Sequence, residues 1–213
     1  YTMLRKISIA AAAMLSVITI NAQKNKNSQV ERPKLVVGLV IDQMRWDYLY
    51  RYYSKYGNDG FKRLLNKGYS LNNVHIPYVT TVTALGHNSI YTGSVPAIHG
   101  IAGNDWTEKE TGKNVYCTTD ESVQPVGTTN VKVGSHSPKN LWSTTVTDEL
   151  RLATHFQGKV VGVSLKDRAS ILPAGHTPNG AYWFDDSTGN FITSTWYMND
   201  LPNWVKSFNS QNL

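Results

Sequence analysis

The run KLVVGLVID, residues 34–42, decides the fold class. It is apolar almost throughout and does not alternate, the pattern of a strand buried on both faces in a parallel sheet with helices on either side. A second run of this kind, KVVGVSL, occupies 159–165. Between them the spacing predicts helices over 46–56 and 60–67, with Gly57 and Gly68 as stops. A short helix over 83–92 ends at Gly93, and a longer one over 141–156 ends at Gly158. Residues 69–76 read as a further strand and 201–208 as an amphipathic helix. Elements in this order predict an α/β fold. Residues 100–138 are rich in Gly, Thr, Ser and Asn. They read as a long insertion with short strands, because Trp106, Val115 and Tyr116 need burial.

With 213 residues, 40% apolar and 17% charged, the chain suits one good-sized core and neither a disordered segment nor a coiled coil. Near its start, Arg5-Lys6 precede an apolar run over 7–20 and then Asn21-Ala22-Gln23. That order matches a secretory signal peptide cleaved after Ala22. The expected organisation is a signal peptide at 1–22, a flexible leader at 23–33 and a folded part at 34–213, in a periplasmic or secreted protein. A membrane anchor is the alternative, but the run is shorter than the ~20 apolar residues of a spanning helix. Ser8, Ser16 and Thr19 also interrupt it. Lipid anchoring needs a Cys beside the cleavage site, whereas the sole Cys is Cys117. No stable membrane anchor is expected, and Cys117 reads as buried and inert, the alternative being an unpaired thiol with a partner elsewhere. The formal charge of +6 falls to +4 once Arg5 and Lys6 are removed, and no Lys/Arg cluster follows. That balance gives no case for nucleic acid and would suit a small anionic substrate.

Five residues stand where chemistry is plausible. Asp42 ends the first apolar run, and ligands of open α/β sheets gather beyond the carboxyl ends of strands. A carboxylate there can hold a divalent metal, or be an ordinary turn or capping Asp. Asp47 reads more simply as a first-turn surface acid. Thr83 lies among several hydroxyls just ahead of a helix, whose N-terminus stabilises a phosphate or an alkoxide. Thr83 or Thr81 as a mere N-cap is the plainer alternative. Lys166 and Arg168 flank Asp167 after the second run. In an extended segment both would point to one side and converge on an anion, unless they lie on a solvated loop. Asn104 is an amide donor for an oxyanion, or a turn residue. The six histidines show neither HxH nor HExxH spacing, and packing or loop hydrogen bonding is expected of His87 and His99. No GxSxG elbow and no P-loop is present.

Three blocks, LVVGLVIDQMRWDYL, TALGHNSIYTGSVPAIHGIAGND and VVGVSLKDRASILPAGH, together resemble the alkaline phosphatase superfamily. They are most similar to the threonine-nucleophile, phosphate-irrepressible alkaline phosphatases of flavobacteria. The resemblance implies a mixed, mostly parallel sheet flanked by helices and a two-zinc site hydrolysing small phosphate monoesters. On it, Asp42 is a zinc ligand, and Thr83 is both nucleophile and zinc ligand. Asn104, Lys166 and Arg168 contact the phosphoryl oxygens, and a covalent phosphothreonine forms. It also implies that the remaining zinc ligands lie beyond residue 213, so that this chain is an N-terminal part, inactive alone. Two readings compete with this one. A phosphodiesterase or nucleotide pyrophosphatase of the same superfamily shares the Asp, Thr and Asn; a secreted anion-binding module would bind without catalysis.

Overall fold

A computed structural model describes residues 32–211. The expected signal peptide and nearly all of the expected leader fall outside the described residues. The chain divides into two units, Tyr1–Val40 and Ile41–Leu213. In the first, residues 32–40 carry no helix or strand, and Leu35, Val36, Val37 and Leu39 are exposed. The strand expected over 34–42 is therefore not formed, and Asp42 does not end one. A strand persists only with ladder partners and covered faces, and no described ladder includes this run.

The second unit opens with α1 (Tyr48–Arg51), a 3-10 turn at Tyr53–Lys55 and α2 (Phe61–Lys67), which split the expected first helix and reproduce the second. Asp47 is the N-cap of α1 and pairs with Arg45 at 2.9 Å, a surface role as expected. Residues 69–76 form no strand; Tyr69 and Leu71 are exposed, for the same want of partners. Next come α3 (Thr83–Thr92) and α4 (Pro96–His99), then a hairpin of β1 (Asp105–Thr107) and β2 (Asn114–Tyr116). They are followed by β3 (Pro125–Val126), α5 (Val131–Gly134), α6 (Val146–Ala153) and β4 (Val161–Val163). The unit closes with α7 (Asp167–Ala174), β5 (Gly180–Asp185), β6 (Asn190–Ser194) and α8 (Asn203–Asn209).

The main sheet runs β3-β6-β5-β4. Only β4 and β5 pair in parallel; β5–β6 and β3–β6 are antiparallel. This is the expected α/β class with a mixed sheet, but with a smaller parallel share than expected. β4 is an edge strand covered on one face rather than two, since Val161 and Val163 are more than half exposed. Its covered face is Gly162, set so close to the Ser170 carbonyl of α7 that no Cβ would fit. The core joins α7 to the sheet through Ile171, Ala174, Ala181, Trp183 and Ile192. A second cluster, Ala84, Ile101, Cys117, Leu141 and Leu172, joins α3 to α7 and receives Trp106 and Tyr116 from the hairpin. Cys117 is wholly buried there, and burial pushes its thiol up to about 12, so it stays protonated and unreactive.

α6 starts later than the apolar spacing over 141–156 suggests, because Thr145 and Asp148 form a capping box. Asp148 does more than cap. Its carboxylate is 3% exposed and accepts from the backbone N–H groups of Thr145, His176 and Thr177. It also meets His176 Nδ1 at 3.1 Å, while His176 Nε2 lies 3.0 Å from the Leu141 carbonyl. Gly175 passes this hub with φ +78, and a Cβ there would collide with the Asp148 carboxylate and the Thr145 hydroxyl. Gly175→Ala is expected to cost about 2 kcal/mol, from backbone strain plus overpacking. Urea unfolding checks this as a lower midpoint at unchanged slope; an unchanged midpoint would show that the hub yields at no cost.

Candidate active site

The helix expected over 83–92 forms as α3 with those bounds, and Gly93 closes it in the left-handed region at φ 63. Its N-cap, Val82, offers no side-chain acceptor, so the free N–H groups of the first turn need one from elsewhere. Asn104 Oδ1 accepts the Ala84 N–H at 2.9 Å. With Oδ1 committed, the Nδ2 end of that amide is the one left to donate outward. Thr83 stands at the first helical position and does not cap. Its hydroxyl donates instead to Asp42 Oδ2 at 2.9 Å. The N-cap role weighed for Thr83 or Thr81 is thus not the one α3 uses, and Asn104 is more than a turn residue. Three of the five candidates meet at the positive end of one helix.

The other two reach the cluster through the hairpin. The Asn104 carbonyl accepts from the Cys117 N–H at 2.9 Å, and the neighbouring Tyr116 hydroxyl accepts from Arg168 Nη1 at 2.8 Å. The Arg168 guanidinium also lies over the Tyr116 ring, 6.0 Å from its centre. Lys166 and Arg168 are not on one extended segment, contrary to the strand geometry inferred from sequence. Lys166 is the N-cap of α7 and Arg168 lies in its first turn, because the helix begins at Asp167. Both nevertheless line one cavity of about 610 Å³, with Tyr116, Lys132, His136 and Trp183 on its walls. Thr83, Asp42 and Asn104 do not line that cavity. Lys166 makes only a loose, exposed pair with Asp186 at 3.5 Å. The buried Arg168 Nε has no hydrogen-bond partner among the described residues. Arg168 donates through Nη1 alone among the described hydrogen bonds, so its Nη2, like the Lys166 ammonium, keeps donors for an anion.

Asp167 stands between these two cations in sequence, yet it forms no described ion pair with either. Its Oδ1 accepts from the Tyr116 hydroxyl at 3.0 Å, and its Oδ2 accepts from the Thr118 hydroxyl. Thr118 in turn lies 3.4 Å from His136 Nδ1, and the His136 ring packs between those of Tyr116 and Trp183. Burial, reinforced by the Asp167 charge, pushes the Tyr116 phenol up, so the proton stays on it. Sequence reading noted Tyr116 only as a residue needing burial. No signal links it to Arg168, some fifty residues away, because the packing of the hairpin against the core cluster it shares with α7 brings them together.

Asp42 and Thr83 direct a carboxylate and a hydroxyl oxygen to one point, a donor pair of the type a divalent cation takes. Among the described residues no group of three His, Cys, Asp or Glu completes a metal site. His87 and His99 are engaged otherwise, in packing and hydrogen bonds as expected. His87 Nδ1 meets the Thr83 carbonyl at 2.9 Å; His99 lies 3.0 Å from Ser89 Oγ and accepts from the Ile101 N–H.

Residues 36–209 match the family described as type I phosphodiesterase / nucleotide pyrophosphatase. The chain belongs to that family. The alkaline phosphatase superfamily expected from the three sequence blocks is thereby met. It is 71% identical over 202 residues to alkaline phosphatase PafA of Elizabethkingia meningoseptica, covering 94% of this chain and 37% of that protein. Alkaline phosphatase PhoV of Synechococcus elongatus is 58% identical, with 98% and 39% covered. A Myroides odoratus protein named calcium-transporting ATPase is 63% identical, with 87% and 34% covered. The crystal structure of wild-type PafA superimposes with a TM-score of 0.85 at 77% identity, over 86% of this chain and 35% of that one. A PafA variant with one threonine changed to serine and one asparagine, one lysine and one arginine changed to alanine superimposes equally, at 0.85 and 74% identity, with 86% and 36% covered. The chain thus spans little more than a third of the length of these relatives. Among the described residues, no helix is long and apolar enough to cross a membrane.

Proposed function

We propose that a protein of the relatives' length carrying this chain is an exported, zinc-dependent phosphomonoesterase that works through a covalent phosphothreonine on Thr83. The observation that carries this reading is the 2.9 Å contact of the Thr83 hydroxyl with Asp42, beside the Asn104 amide at the N-terminus of α3. Two further points support it. The two alkaline phosphatases are highly similar to this chain. The four residue types replaced in the PafA variant also recur here, in the same order and spacing, as Thr83, Asn104, Lys166 and Arg168.

Asp42 and Thr83 would be two of the zinc ligands, and they suit oxygen coordination. Bound zinc would lower the pKa of the threonine hydroxyl and so favour its alkoxide. The Thr83 oxygen then forms a bond to phosphorus as the ester oxygen departs in line with it, taking up a proton from water. Water next displaces the Thr83 oxygen and inorganic phosphate leaves. Through both steps the Asn104 Nδ2 donates to a phosphoryl oxygen, since its Oδ1 is held by Ala84. Arg168 and Lys166 take the remaining charge, which a monoester dianion carries in greater amount than a diester.

That difference supplies the test. Replacing Lys166 and Arg168 together by Ala in the longer protein is expected to cut kcat/KM for an aryl phosphate monoester on the order of a thousandfold. Hydrolysis of the bis-aryl diester should fall only about tenfold, since it has one charge fewer to neutralise. Equal losses would overturn the role of the two cations. A wild-type preference for the diester would move the protein to the diesterase reading, which the name of its family also fits.

A further inference from the structure

We propose that Tyr116 is a positioning residue that keeps Arg168 available to an anion by occupying the carboxylate next to it; this rests on the role proposed for Arg168. An arginine beside an aspartate in sequence has an obvious partner, and a guanidinium paired with a carboxylate is a poor phosphate ligand. The structure prevents that pairing. Asp167 spends one oxygen on the Tyr116 hydroxyl and the other on the Thr118 hydroxyl. Because the Tyr116 proton is committed to Asp167, only lone pairs of that oxygen face Arg168, which donates to them through Nη1 at 2.8 Å. The guanidinium is thus held by a neutral acceptor and by the ring face, with no described hydrogen bond to the Asp167 carboxylate, and it stands on the wall of the cavity. Arg168 makes its one described side-chain hydrogen bond through Nη1, so Nη2 keeps its donors.

Backing for Tyr116 comes from both sides. It pairs with Asp105 across the hairpin, and its ring packs against His136. His136 stands behind Thr118 and against Trp183, so the chain His136–Thr118–Asp167–Tyr116–Arg168 runs along the wall of the cavity. Tyr116→Phe keeps the ring and deletes both hydrogen bonds. It frees one Asp167 oxygen, and Arg168 then turns from the anion to the carboxylate.

The experiment is a double-mutant cycle in the longer protein, with Tyr116→Phe, Arg168→Ala and the pair, read by aryl monoester hydrolysis and by inorganic phosphate binding in calorimetry. Tyr116→Phe alone is expected to lower kcat/KM and weaken phosphate binding about tenfold to a hundredfold. In the Arg168→Ala background it should change neither by more than about twofold. An equal loss in both backgrounds, or no loss in the wild-type one, overturns the proposal. Tyr116→Phe/Asp167→Asn is the second variant. Removing the competing charge should restore part of the loss, whereas failure to restore any would also overturn it. If the wild type hydrolyses no monoester, the phosphomonoesterase reading fails on its own. The phosphate-binding cycle still decides the role of Tyr116 by the same two criteria.

Discussion

Thr83→Ala in the longer protein is expected to lower monoester hydrolysis by about ten-thousandfold or more, the scale of losing a covalent nucleophile. The hydroxyl donates to Asp42 at 2.9 Å and leads a helix whose positive end faces an incoming anion. No other described hydroxyl combines that placement with the Asn104 amide beside it. On the proposed mechanism, removing the oxygen deletes the attacking atom and one of the two donors of the suggested metal pair, so both binding and chemistry should suffer. Thr83→Ser keeps the oxygen and should keep activity within about a hundredfold of wild type. Steady-state kinetics with an aryl phosphate give the first comparison. Acid quench during turnover, followed by peptide mass spectrometry, gives the second: the phosphoryl group should sit on the peptide containing Thr83. Near-wild-type turnover by Thr83→Ala, or phosphate on another residue, would end the assignment.

The largest expected effect on stability comes from Asp148→Asn. This carboxylate is almost fully buried and serves α6, the 174–177 turn and the His176 ring together. Burial alone would push its pKa up. Hydrogen bonds from His176, Thr145 and Thr177 outweigh that and hold the carboxyl well below the ordinary 3.8. The same hydrogen bond raises His176 above its ordinary 6.5, against a smaller opposing effect of burial. An amide in place of the carboxylate disrupts this hub and, wherever His176 is protonated, removes the counter-charge of a largely covered ring. The cost is expected to be about 3 kcal/mol, the lower end for breaking a buried pair, because the His176 side chain is 31% exposed.

The pH dependence follows from the two directions. The raised His176 contributes stability fully below 6.5 and loses it as pH rises through its higher folded value. The lowered Asp148 contributes above 3.8 and loses its share as pH falls through its lower folded value. The pair therefore supports the fold best between about pH 4 and 6.5. Thermal melts across pH 5 to 9 should show a wild-type decline above neutrality that Asp148→Asn flattens. A parallel decline in both proteins would place the pH dependence elsewhere.

Much of the fold and site is legible in local sequence. α3 is bounded by Val82 and Gly93, and a helix ending at a glycine in the left-handed region is a local event. Its neighbour Asp42 and the pair Lys166 and Arg168 attract notice for their position after apolar runs. The misreadings have a common cause. The apolar runs at 34–42 and 159–165 carry β preference, but preference does not supply a partner. One forms no described strand, and the other becomes a one-sided edge. Likewise, Lys166 and Arg168 look extended until the helix start at Asp167 is known.

What the sequence determined by itself is the α/β class, the helix that presents Thr83, and the residue types able to bind a phosphoryl group and a metal. Those properties depend on side-chain chemistry and on contacts a few residues apart. Only the tertiary structure decided that Asn104 caps α3, that Asp42 reaches Thr83, and that Tyr116 and Thr118 take Asp167 away from Arg168. Each of those contacts joins residues twenty or more positions apart. Nothing in their local spacing encodes them, because chain folding brings such groups together only when the burial of α3, α7 and the hairpin around one core outweighs the entropy of closing the loops between them.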